Sequence, residues 1–105
     1  MRYLPGQLWK ILLKNEDART LLLVLKSEEL DGQNIVHVGF VGGSEDLPEH
    51  MPFSEDAVNR SVLALEGELP ALPSFQDGYK RWRDAYDAGD AGIYSLTVQE
   101  VLNLQ

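Results

Sequence analysis

Hydrophobic and polar residues alternate along the first forty positions in the two-residue rhythm of a β-strand. After the turn signal Pro5-Gly6, Gln7 to Lys14 puts Trp9, Ile11 and Leu13 on one side and Leu8, Lys10, Leu12 and Lys14 on the other, as a pleated strand requires. The polar cluster Asn15-Glu16-Asp17 predicts a turn, and Thr20 to Lys26 is a short continuous apolar run of the kind found in central strands. Asp31-Gly32 is a second turn signal, and Asn34 to Val41 returns as a β-rich segment. These three strands predict an antiparallel meander.

The rhythm then changes. From Gly42 through Pro48 to Pro52 the composition is that of a loop. Ser54 is placed as a helix N-cap with Glu55 and Asp56 in the first turn, where the helix dipole favours negative charge. Val58, Val62 and Leu65 repeat at helical spacing up to a stop at Gly67. Pro70 and Pro73 mark a connector, Ser74 is a second candidate N-cap, and Phe75, Tyr79, Trp82 and Tyr86 form an aromatic stripe at helical spacing. Gly89 and Gly92 end that helix, Ile93 to Leu96 predicts a short fourth strand, and Thr97 with Glu100 predicts a capping box opening a terminal helix. The expected order is β-β-β-α-α-β-α, an α+β fold in which an antiparallel β-meander packs with two to three helices in one domain, 1–105.

Two resemblances accompany this pattern. The run His50-Met51-Pro52-Phe53-Ser54, with Ser61-Val62, Pro73, Phe75, Gly78-Tyr79, Trp82-Arg83, Ala85-Tyr86, Gly89, Ala91-Gly92-Ile93-Tyr94 and Val98, resembles a family of small bacterial proteins of unassigned activity. That resemblance covers the second half well and the meander weakly, and it implies a bacterial, cytosolic protein. Pro5-Gly6-Gln7-Leu8-Trp9 is similar to the first strand of SH3-like barrels, which implies, as an alternative fold, such a barrel with appended helices.

Composition adds limits. No cysteine is present among the 105 residues, which removes disulfides, thiolate metal sites and thiol nucleophiles and fits a reducing cytoplasm. The N-terminal residues lack an apolar signal-peptide core, and the longest apolar stretch, Leu21 to Leu25, is five residues, where a membrane span needs about 20. The net charge of −8 is unevenly distributed: residues 1–43 hold five bases and five acids, and residues 44–105 hold four bases and twelve acids. Such a surface disfavours nucleic acid and anionic lipid and favours basic proteins.

Candidate chemistry is sparse. His37 and His50 with Glu45, Asp46 and Glu49 offer donors that suit zinc or manganese, although neither spacing nor number matches a ligand motif. Alternation sets His37 opposite Val36, Val38 and Phe40, as a solvated or hydrogen-bonded strand residue. Ser44, Ser54, Ser61, Ser74 and Ser95 lie in no nucleophile elbow, and the Gly39, Gly42, Gly43 patch lacks the lysine of a phosphate-binding loop. The aromatic stripe reads as an anchor to the sheet, and its basic neighbours Lys80, Arg81 and Arg83 as i, i+4 partners of Asp84, Asp77 and Asp87. Glu45, Asp46, Glu49, Glu55 and Asp56 run with no intervening base and are the candidate partner-binding residues. The leading expectation is therefore a non-catalytic acidic binding protein, of the immunity or inhibitor type, that docks on a basic protein without a cofactor. The alternatives are a small enzyme or metal-dependent protein using His37 and His50, and a self-associating structural protein.

Overall fold

A computed structural model describes residues 2–14, 16 and 19–104. It contains β1 (Gln7–Ile11), β2 (Leu21–Leu30), β3 (Gln33–Val41), β4 (Met51–Ser54), α1 (Glu55–Ser61), β5 (Val62–Glu68), α2 (Gln76–Asp87) and α3 (Val98–Asn103). The strands form one antiparallel sheet in the order β4-β3-β2-β1-β5. The α+β class and the meander are as expected. The sheet is open, with β4 and β5 at its edges, so the SH3-like alternative does not describe it.

The central hairpin is set by its turn. Asp31 and Gly32 both have positive φ, 52° and 79°, the two-residue turn whose twist matches antiparallel strands. Leu30 therefore faces Gln33. Further along, Val24 faces Val38 but Lys26 faces His37, so Leu25 is an extra residue on β2. This bulge changes which side of the sheet β2 presents. Before it, Leu22 and Val24 join the core with Val36 and Val38. After it, Lys26 and Glu28 share the opposite face with His37.

The main core lies on one face of the sheet, where Trp9, Ile11, Leu22, Val24, Val36, Val38, Met51 and Phe53 pack with Tyr3, Ala57, Val58, Val98 and Val101. Ser61 links two elements of this layer: its hydroxyl donates to Ala57 O and accepts from the first amide of α3, Val98 N. On the other face, Leu23, Leu25, Ile35 and His37 are also buried. Covering on both sides is why the Leu21 to Leu25 run lacks alternation.

Four sequence expectations are corrected. The first helix ends at Ser61, not Gly67, because Val62–Glu68 extends and pairs with β1. The segment read as loop up to Pro52 overlaps the start of β4, and Pro52 is tolerated there because its outward side faces Tyr94 and not β3. Tyr94 N donates to Pro52 O and Ser54 N donates to Tyr94 O. The expected strand Ile93 to Leu96 is accordingly reduced to a single bridge, Tyr94 with Phe53. Finally, the N-cap of α2 is Phe75, with no side-chain cap, and not Ser74. The caps Ser54 and Thr97, the latter with Glu100 in a capping box, are as expected. Asn15 and Asp17 of the first predicted turn lie outside the described residues.

Candidate functional site: a histidine pair and an acidic groove

The side of the sheet facing α2 carries a polar chain that ends at a surface cleft. Its anchor is Glu28 of β2. Tyr79 OH donates to Glu28 Oε1 at 3.0 Å, and Arg83 Nη1 donates to the same oxygen at 3.3 Å. Glu28 Oε2 lies 2.6 Å from His37 Nε2, and His37 Nδ1 lies 2.8 Å from His50 Nε2. The two imidazole planes lie within 15° of each other with centroids 5.0 Å apart, as an edge-to-edge hydrogen bond requires, and Tyr79 and Trp82 close over His37 edge-on at 5.0 and 4.9 Å. His37 is fully buried, while His50 is half-buried at the end of the β3–β4 loop.

Burial lowers His37 to about 4, outweighing the opposing pull of the Glu28 hydrogen bond. The Glu28 charge is already shared with Tyr79 and Arg83, which weakens its hold on a His37 proton. Burial lowers His50 in the same direction. Both rings are therefore neutral near pH 7. Tyr79 is shifted up, first by burial.

The acid hydrogen-bonded to the pair is Glu28; of the expected acids only Glu49 shares a cleft with His50, and Glu45 and Asp46 line other depressions. Sequence reasoning missed Glu28 because it placed the residue beyond the end of the second strand. Among the described residues no group of three or more histidine, aspartate or glutamate side chains is placed to hold a metal ion. The facing nitrogens of the pair bond to each other and do not converge on a shared point. The aromatic stripe does anchor α2: Trp82 Nε1 donates to Gly92 O and Tyr86 OH donates to Asp31. Of the three expected i, i+4 pairs, Lys80–Asp84 and Arg83–Asp87 form.

The five candidate acids fall into two groups, separated by β4. Glu45, Asp46 and Glu49 are exposed on the loop before it, and Glu55 and Asp56 open α1 after it. Asp56 pairs with Arg60, and Glu55 has a buried Oε2 with no hydrogen-bond partner among the described residues. Glu45 and Glu49 instead line a groove of about 250 Å³ together with Leu23, Leu25, Leu47, Pro48 and Pro73. Gly39 suits this arrangement: a Cβ there would stand 3.0 Å from Glu49 O, close enough that the loop backbone would have to shift slightly. Asp46 points to a neighbouring depression with Lys14 and Gln99.

No protein-family model, curated protein or solved structure matches the chain. Its function is therefore argued from these two features. No helix among the described residues is long and apolar enough to cross a membrane.

Proposed function

We propose that the protein is a non-catalytic binding protein that docks on a basic protein, in the manner of an inhibitor or immunity protein. The observation that carries this reading is the groove that Glu45 and Glu49 line together with leucine and proline. Neither carboxylate has an ion-pair partner among the described residues. Lysine and arginine side chains match such a groove, because their aliphatic stems bury against leucine and proline while the charged head reaches a carboxylate. The excess of acids over bases in residues 44–105 would steer a basic partner toward this side and speed encounter.

A defined peptide tests it. Ac-Arg-Leu-Arg-NH2, titrated at low salt, should shift the amide signals of Gly39, Phe40 and Leu47, whereas Ac-Glu-Leu-Glu-NH2 should not. Replacing Glu45 and Glu49 together by lysine should weaken binding about tenfold or more, since like charge then meets like. Asp56→Lys, beyond β4, should change it less than about twofold. Equal loss from Asp56→Lys would mean a diffuse charge effect and would refute the groove.

A second reading, self-association, has its own observation. β4 is covered on its outer side by Tyr94, but β5 is a seven-residue edge strand with Leu63 and Leu65 60% and 50% exposed. An uncovered apolar edge is a template for pairing with a second copy. Light scattering at high concentration should then show a dimer that Leu63→Lys dissolves. A monomer at every concentration sinks this reading.

A further inference from the structure

We infer that the cleft beside His50 is a second subsite of the docking surface, built to accept a guanidinium or ammonium group. This deepens the docking reading and rests on it. The cleft has a volume of about 290 Å³ and is lined by Glu49, His50, Ser74, Phe75, Asp77 and Gly78. It shares Glu49 and Ser74 with the acidic groove, so one basic segment can occupy both.

The polar chain behind His50 decides what its exposed nitrogen does, and the protons can be assigned outward from Arg83. A guanidinium only donates; Arg83 and Tyr79 both donate to Glu28 Oε1, and Oε2 is left to accept from His37 Nε2 at 2.6 Å, which places the hydrogen on His37. A neutral His37 has then spent its one N–H, and its Nδ1 accepts. The 2.8 Å contact to His50 Nε2 requires the hydrogen on His50. Neutral His50 is left with a bare lone pair on Nδ1. That atom lies on the Gly78 side: a Cβ on Gly78 would stand 3.5 Å from His50 Cβ and 4.0 Å from Nδ1.

The cleft thus offers a fixed nitrogen acceptor, two carboxylates and an aromatic ring, and no cationic side chain lines it. Glu49 and Asp77 have no ion-pair partner among the described residues. This set complements a multiple N–H donor with positive charge. It opposes an anion, and it opposes the oxyanion that a hydrolytic reaction at Ser74 would develop. Ser74 makes no hydrogen bond to His50 among the described contacts, so it is not an activated nucleophile.

The acceptor is also conditional. A proton taken up on His50 Nδ1 turns it into a donor and adds positive charge to the cleft. The groups facing the pair are Lys26 and Glu28 from β2, Asp77, Tyr79 and Arg83 from α2, and Glu49 from the loop. Burial keeps the ring neutral at ordinary pH, so the acceptor is present at neutral pH and lost on acidification.

The test is the titration of Ac-Arg-Leu-Arg-NH2 into the full chain, followed residue by residue, at about pH 7.5 and at the acidic pH where the ring signals of His50 itself show it protonated. At the higher pH both the groove amides (Gly39, Leu47) and the cleft amides (Asp77, Gly78) should shift. At the lower pH the cleft set should vanish and affinity should fall about tenfold. His50→Gln is the decisive variant, because its amide can donate to His37 and present an oxygen to the cleft without titrating. It should keep the cleft shifts at both pH values. Shifts confined to the groove at the higher pH, or an acid response that survives in His50→Gln, overturn the inference and leave the docking reading standing. No shifts anywhere overturn both.

Discussion

Replacing Glu28 by alanine is expected to cost about 3 kcal/mol and to loosen α2 from the sheet while leaving the main core intact. Glu28 accepts from Tyr79 and Arg83 and holds His37. Arg83 is 35% exposed and can turn to water, so its loss costs little. His37 is fully buried, and its stranded N–H has no route to solvent. A buried donor left without an acceptor costs roughly 1–3 kcal/mol, and the half-buried Tyr79 hydroxyl adds a smaller amount. The damage should be local because α2 has no fully buried residue of its own. It is held by Tyr79, Trp82 and Tyr86 through contacts centred on His37, Glu28 and Asp31. Urea denaturation would read the total, and hydrogen exchange would show early loss of protection in α2 with β2 and β3 unaffected. A cost under about 1 kcal/mol with α2 still protected would mean that water already satisfies the network.

That network marks where the sequence stops being legible. The meander could be read because each of its signals is local: Trp9 and Ile11 on one face, the positive-φ pair Asp31-Gly32 at the turn, and alternation through Val36 and Val38. Alternation even set His37 on the correct face. What it could not show is the bulge at Leu25, since one extra residue leaves no mark in a continuous run of leucine and valine. Yet that residue moves Glu28 to the side of His37. The helix overrun has a similar cause. Val58, Val62 and Leu65 fit a helix by spacing, but Val62–Glu68 gains more by pairing with β1, a partner more than fifty positions away. Pro52 argued against a strand, and only the presence of Tyr94 on its outer side shows why an edge strand accepts it. The acidic segment was legible as composition. Its division by β4 into a groove-lining group and a helix-opening group was not, because it depends on where the strand inserts.

Acidification from about pH 6.5 to about pH 4 should remove on the order of 3 kcal/mol of stability, with His37 as the principal cause. In the unfolded chain His37 titrates near its ordinary 6.5, whereas in the fold burial lowers it to about 4. Between those values the unfolded state holds a proton that the folded state lacks, so stability falls as pH falls through the window. Above it both states are neutral and the full contribution is present; below it both are protonated and this group adds no further loss. His50, lowered in the same direction by burial, acts in the same sense. The carboxylate response comes later: Glu100, lowered from 4.5 by its capping bonds with Thr97, loses its stabilising effect only as pH drops below its ordinary range. Stability measured by urea denaturation at steps between neutral pH and about pH 4 should therefore carry a slope of up to one additional proton from His37, about 1.4 kcal/mol per pH unit. His37→Gln should be less stable at neutral pH but should lose most of that slope. A wild-type curve that is flat across the window, or an equal slope in the variant, would show that His37 is not held neutral. The binding surface is coupled to this response, because the proton that His37 resists and the proton that would silence His50 enter one hydrogen-bonded pair. Loss of the cleft acceptor and loosening of α2 should consequently both follow from protonation of this one pair.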